Sequence, residues 1–382
     1  MQAFTKRFSR YLSLAIGTLA IGLVACTTTH APLSETEKLH LRVSASDFAE
    51  LGIGTAIEKR EDGRRTPQSP EFFEWWYFDG LLDDGTVVVV WFGDNWLYGK
   101  HKRSVSIEVT PAGGATRKVL SDFDDAGTFA KDHAAIRIGP HSFEGDLDTY
   151  TIHVDAAKTG GVGCDLVLHR RVPSYRPATG HLAASDKFFA WLVAVPEGKV
   201  SGTLTLDNAT KTVTGSGYHD HNWGNVSPAD IFDNWWWGRG LVGSHTVIAS
   251  TIRAKQNIGG NLIPLLFVAD EKGAEVNAHS DDVVVSEGEA ARHPDPNHER
   301  PIASSVTLSM KDGTQVRFNT SQQMITSSDL LKEENKRFAI RLAAKAFGVQ
   351  PWYTRFISPL SLAQPGKDTM TGIGTLEYFE MK

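Results

Sequence analysis

Cysteine is nearly absent: the 382 residues contain two, Cys26 and Cys164. That excludes a disulfide framework and a cysteine-rich metal centre, because no ligand spacing surrounds either residue. Cys164 is expected to pack as a small hydrophobe, not to act as a nucleophile. An excess of positive charge is also missing. Lys and Arg total 39 against 45 Asp and Glu, for a net charge of −6. The basic stretch "KHKR" at 100–103 is expected in a loop, so a nucleic-acid partner is not expected. The "GSG" at 215–217 lacks the Gly-x-Ser-x-Gly elbow of serine hydrolases. Leu12–Ala25 is apolar but too short to cross a bilayer comfortably.

That short run follows Lys6, Arg7 and Arg10, the layout of a secretion signal. It ends in Leu23-Val24-Ala25-Cys26, which resembles a bacterial lipobox. The expectation is a lipoprotein signal over 1–26, lipidation at Cys26, and a membrane partner reached through that anchor. Thr27 in place of Asp favours the outer membrane, with the chain facing the periplasm. Residues 27–50 read as a polar tether.

What the chain has in quantity is glycine, aromatics and strand signals. It holds 35 Gly and 10 Trp. Runs such as "TVVVVWF" (86–92), "SVSIEVT" (104–110), "HTVIASTIRA" (245–254) and "GTLEYFEM" (374–381) are β-branched or aromatic, with turn signals between most such runs. They predict an all-β protein of sandwich or barrel type. One helix is predicted over 327–348, capped by Ser328 or Asp329 and ended by Gly348.

The chain also repeats itself. "WWYFDGLLDDGTVVVV" from Trp75 matches "WWWGRGLVGSHTVIAS" from Trp235 at an offset of 160 without a gap. This predicts two antiparallel, lipocalin-like β-barrel domains, over 51–192 and 193–382, from an internal duplication. In the repeat Asp79 matches Arg239. Trp75, Tyr77 and Asp79 share one strand face, as do Trp235, Trp237 and Arg239. A charge in line with two large aromatics points either into a polar cavity or out to solvent, the latter as an outer face at a domain junction with Arg239 stacked on an aromatic ring.

The densest chemistry is "GSGYHDHNWGN" at 215–225. On a strand His219 and His221 share one face and Asp220 takes the other. A metal would need a third ligand, and His153, His181 and His245 are open choices; neither a metal nor a cofactor is expected. The cluster either satisfies backbone groups where two barrels meet, with Trp223 packed between them, or lines a ligand pocket to which Glu74 contributes.

"EFFEWWYFDG" (71–80), "GSGYHDHNWG" (215–224), "DNWWWGRG" (233–240) and "PWYTRF" (351–356) resemble the hydroxyneurosporene synthase, or carotenoid 1,2-hydratase, family, which includes AttH-like proteins. The resemblance covers nearly all the chain after the signal and implies two lipocalin-like domains. It implies an isoprenoid or lipid-like small molecule as partner, and addition of water to a double bond. Such chemistry needs a protonated acid, aromatic faces for a carbocation, and a positioned base. Asp220 and His221 are the implied acid–base pair, with His219 and Tyr218 beside them. Trp223, Asn222, Trp235, Trp237, Arg239, Glu74, Trp75 and Tyr77 are the candidate binding residues. The family also implies a Tyr-x-Asp on the strand after the tryptophan cluster. Here Ile248, Ala249 and Ser250 occupy that stretch, with no carboxylate. The alternative expectation is a non-catalytic lipid-binding envelope lipoprotein.

Overall fold

The computed structural model describes residues 33–65, 71–97, 99–123, 127–320, 323–329 and 351–381. The expected signal, Cys26 and the first part of the expected tether lie outside the described residues.

Alternation of the tryptophans sets the architecture. Along Phe72–Leu82, Trp76 and Phe78 are fully buried on one face, while Trp75 and Tyr77 on the other keep some exposure. Phe232–Val242 repeats this, with Trp236 buried and Trp235 and Trp237 on the opposite face. Each strand lies inside its own large antiparallel sheet. Phe72–Leu82 pairs with Val87–Leu97 on one side and Ala209–Gly224 on the other. Phe232–Val242 pairs with His245–Ala254 and Met370–Glu380 in the same way. The two sheets are curled, barrel-like layers, and the fold is all-β, as read from the sequence.

Each sheet encloses its own apolar core. Trp76, Phe92, Phe143 and Leu166 belong to the first, and Trp236, Leu266, Phe318 and Leu376 to the second. A third core lies between the sheets and contains Tyr175, Trp191, Tyr218, Phe232, Ile248 and Phe267. Tyr175 stacks on Phe267 there at 4.2 Å between ring centroids. The sheets are therefore joined by apolar burial, the dominant favourable term in folding and association.

Four expectations differ from the structure. The junction expected at 192/193 falls inside one strand, Lys187–Leu206, and the chain changes sheet at 225–231 instead. That strand continues because its neighbour Ala209–Gly224 returns as a long hairpin in the same sheet. The expected tether is docked from residue 33 onward. Leu39 and Leu41 are buried, His40–Leu41 pairs with His181–Ala184, and Ser44 caps a helix over Ala45–Leu51. Apolar alternation at positions 39 and 41 outweighs the polar composition around it. The predicted helix does not begin at Ser328 or Asp329, because both close the strand Met324–Asp329 against Trp352–Phe356. The rest of that helix, 330–348, lies outside the described residues. The "KHKR" stretch likewise opens a strand, Lys100–Thr110, and is not a loop. His101 and Arg103 lie against the buried Asp94 there, at 2.6 and 3.3 Å.

The glycines of "GSG" serve packing. A Cβ on Gly215 would sit 2.3 Å from the Leu81 carbonyl oxygen. At Gly372, on the other sheet, it would sit 1.9 Å from the Leu241 carbonyl oxygen. Only glycine permits that approach between neighbouring strands. Cys164 is buried among Leu166, Val154 and their neighbours, and burial pushes its thiol up to about 12, so it is inert.

Candidate functional site

The Ala209–Gly224 strand sorts the opening motif onto two faces. His219, His221 and Trp223 point toward the first sheet's interior. Tyr218, Asp220 and Asn222 point toward the second sheet.

On the inner face, the His219 ring is held between Phe143 and Tyr150, with centroids 4.6 Å away in each case. Its Nε2 lies 3.1 Å from Asp62 Oδ2, which also accepts the Tyr150 hydroxyl at 2.5 Å. Burial works against the His219 cation, but the Asp62 charge and hydrogen bond raise its pKa overall. His221 stacks on Trp76 at 4.5 Å, and its Nε2 meets Glu74 Oε1 at 3.0 Å. Trp223 packs on His221 and on His181. Glu74 also accepts the Arg65 N–H at 2.5 Å. These residues are enclosed by protein. They form a buried polar network that fixes the first sheet's interior. Of the suggested third metal ligands, His153 meets Asp165 at 2.6 Å, His181 meets the Thr179 carbonyl at 2.9 Å and His245 meets Glu275 at 3.1 Å. Among the described residues, no group of three or more His, Cys, Asp or Glu side chains could hold a metal ion.

On the outer face the sheets leave a cavity of about 320 Å³ between them. Trp75, Tyr77, Trp191, Trp235, Trp237 and Phe379 form much of its wall. Asp220 and Asn222 reach it from the first sheet, and Ser250, Tyr353 and Glu377 from the second. Asp220 accepts three hydrogen bonds: Trp191 Nε1 at 2.9 Å, the Tyr218 hydroxyl at 2.8 Å and Asn222 Nδ2 at 2.9 Å. Burial outweighs these donors and raises its pKa to about 6. Glu377 is pushed up to about 7, also by burial, against the opposing charge of Arg355. Tyr218 does not line the cavity; it packs behind Asp220 and against Trp237.

Below the cavity the two repeat-matched charges meet. Asp79 pairs with Arg239 at 3.2 Å and also with Arg355. Both arginines are buried, and they hold the Asp79 carboxyl down although burial alone would raise it. The Arg239 guanidinium lies 5.2 Å from the Tyr218 ring centroid, the expected stacking, but it is buried between the sheets and not on an outer, solvent-facing surface, because Asp79 draws it inward. Arg355 Nη1 also donates to the Tyr77 hydroxyl at 3.2 Å.

The structure thus brings together Asp220, Asn222, Trp75, Tyr77, Trp235 and Trp237, with Tyr218 and Arg239 supporting them. It sets His219, His221, Trp223 and Glu74 apart, on the far side of the strand. Sequence reasoning missed Glu377, Tyr353, Trp191 and Arg355 as site residues. The signal was available at 353–355 and 374–381: charged side chains inside strands otherwise rich in aromatics.

No family model matches the chain. A hydroxyneurosporene dehydrogenase of Chlorobaculum tepidum is 26% identical over 210 residues, which is 45% of this chain and 54% of that protein. The chain is similar to the hydroxyneurosporene synthase and AttH-like proteins. It spans about half the length of the curated relatives it matches. A crystal structure from Nitrosomonas europaea, described as an AttH protein, superposes with a TM-score of 0.55 at 13% identity, covering 85% of this chain and 97% of that one. Kievitone hydratase from Nectria haematococca gives 0.55 at 12% identity, covering 85% and 93%. At such identities the structures show a shared fold.

Proposed function

We propose that the protein takes a hydrophobic, isoprenoid- or lipid-like small molecule into the cavity between its sheets and adds water to one of its double bonds. One observation carries this reading: Asp220, a carboxyl held near neutrality by burial, opens onto an aromatic-walled cavity. The two sheets are filled with their own side chains, so the ligand space lies between them. A volume of about 320 Å³ suits a small ligand or the end of a long one. Tryptophan faces stabilise the tertiary cation that protonation of a trisubstituted alkene creates, and a wall low in water protects that cation from side reactions. Similarity to a protein named for hydroxyneurosporene, and a fold shared with a protein named as a hydratase, support the same chemistry.

A second reading, a non-catalytic lipid carrier, is favoured by Ser250. It stands where the resemblance implies a carboxylate, and its hydroxyl is turned to the Trp236 carbonyl at 3.0 Å. In either case we propose that Cys26 anchors the chain by lipid in the cell envelope, at the outer membrane and facing the periplasm.

Native mass spectrometry with organic extraction, on protein purified from its own host, separates the readings. A co-purifying alkene that gains the mass of water on incubation supports hydration. Retention without turnover supports the carrier. An empty protein that takes up nothing from a lipid extract overturns both.

A further inference from the structure

The duplication extends beyond the tryptophan strands, and the β-ladders show how far. Asp220 lies opposite Tyr77, and Glu377 lies opposite Trp237. Tyr77 and Trp237 are the same position of the 160-residue repeat, so Asp220 and Glu377 are also one position in two copies. The next strand out agrees. Trp191 lies opposite Asn222, and Tyr353 lies opposite Phe379. Trp191 donates to Asp220, and Tyr353 lines the cavity beside Glu377, its hydroxyl favouring the Glu377 carboxylate. Each half of the protein therefore delivers one carboxyl and one aromatic donor from the neighbouring strand to the same cavity.

The two copies are not held alike. Asp220 accepts three hydrogen bonds, which stabilise a carboxylate. Glu377 has the Tyr353 hydroxyl as a neighbour and Arg355 Nε at 3.4 Å from its Oε1, an oxygen that makes no hydrogen bond among the described residues. It is the less hydrogen-bonded of the pair, and the protonated form suits it.

We propose that the cavity is a two-carboxyl site built by the duplication, in which Glu377 is the general acid and Asp220 the general base. This rests on the hydration reading and divides its labour. The Glu377 carboxyl gives its proton to the less substituted alkene carbon. The π bond breaks, a C–H bond forms, and a tertiary cation remains against the tryptophan faces. Water attacks the cationic, more substituted carbon as Asp220 accepts the water's proton, so a C–O bond forms and the product is a tertiary alcohol. Glu377 is then ionised and Asp220 protonated, and one proton passed between them through solvent resets the site. No oxidant or cofactor enters the balance.

The groups facing this pair are Arg355, Tyr353, Tyr77 and Asp79 around Glu377, and Trp191, Tyr218 and Asn222 around Asp220, with the His219 charge acting on Asp220 from the far side of the strand. The carboxyls sense each other's charge, so the pair titrates as a unit. With Asp220 ionised and Glu377 protonated, activity follows a bell. It rises through the lower of the pair's apparent pKa values and falls through the higher.

The test uses geraniol and geranylgeraniol in ¹⁸O-labelled water, with binding followed by quenching of the cavity tryptophans. The wild type is expected to bind and to form labelled tertiary alcohol. Glu377→Gln should bind equally and lose about 100-fold or more in turnover. Tyr353→Phe removes a hydroxyl that favours ionised Glu377, so the falling limb should move to higher pH. That variant decides the matter should Glu377→Gln not fold. Turnover that survives Glu377→Gln, or a falling limb unmoved in Tyr353→Phe, overturns the assignment and leaves the hydration reading standing. Wild-type protein that binds neither probe, or binds without turnover, overturns the hydration reading and the assignment with it.

Discussion

The strands Ala209–Gly224 and Met370–Glu380 hold the same place in the two halves, yet only one face of each is alike. Toward the cavity, Asp220 is answered by Glu377, carboxyl for carboxyl. Toward the sheet interior, His219 is answered by Leu376 and His221 by Tyr378. The first interior holds a polar network of Asp62, Glu74, Tyr150 and two histidines. The second has Leu376 among Phe318, Phe356 and Leu360. Motif density is therefore a poor guide to chemistry here. The histidines that make "HDHNW" conspicuous are interior scaffolding, while the less conspicuous "LEYFE" carries a cavity acid. The two copies also differ in sign at one matched position, Asp79 against Arg239, and that difference ties the halves together.

The sharpest way to break the comparison is at that tie. Asp79→Ala leaves Arg239 and Arg355 buried without their shared carboxylate. A loss of about 3–5 kcal/mol in urea unfolding is expected. Next is the interior face. His221→Ala removes the Trp76 stack and the Glu74 contact and should cost about 2–3 kcal/mol, measured the same way. Asp220→Asn, one residue away, should keep the melting temperature and lose turnover. Equal melting behaviour in those two variants would erase the distinction between the faces.

A smaller effect is expected in the pH dependence of stability. Glu377 titrates near 4.5 unfolded and about 7 folded, and Asp220 near 3.8 and about 6. Between those values the folded state holds protons that the unfolded state has released. Stability is therefore full at the acidic end and declines as pH rises through the window. His219, raised in the fold, loses stability in the same direction above its unfolded value. Glu377→Gln should flatten the decline by on the order of 1–2 kcal/mol, read from urea midpoints at about pH 5 and about pH 7.5.

Much of this was legible in the residues. The Trp75/Trp235 repeat predicted two like sheets, and alternation placed His219 and His221 together, away from Asp220. What alternation does not say is which face is the ligand side. Here both faces of the strand are buried, one by its own sheet and one by the other, so polarity gave no contrast. Glu377 was hidden because the repeat was followed only along the tryptophan strands. The glycine pairs 215/217 and 372/374 extend it to the carboxyls, but that correspondence is plain only once both strands are seen beside their tryptophan partners. The docked segment at 39–41 was masked by polar neighbours, since two buried leucines suffice to hold a short strand.

The least expected change is at Ser250, and it is the finest probe of how the second half does its work. Ser250 and Glu377 flank Trp237 on opposite sides of the same cross-strand row. The Ser250 hydroxyl donates to the Trp236 carbonyl, so its role is to hold that strand pair. Ser250→Ala should cost about 1 kcal/mol in unfolding, the worth of one such hydrogen bond. Turnover and its pH profile should remain with Glu377. A loss of turnover beyond what the stability change explains would place proton chemistry at 250 after all, and would remove the need for an acid on the Met370–Glu380 strand.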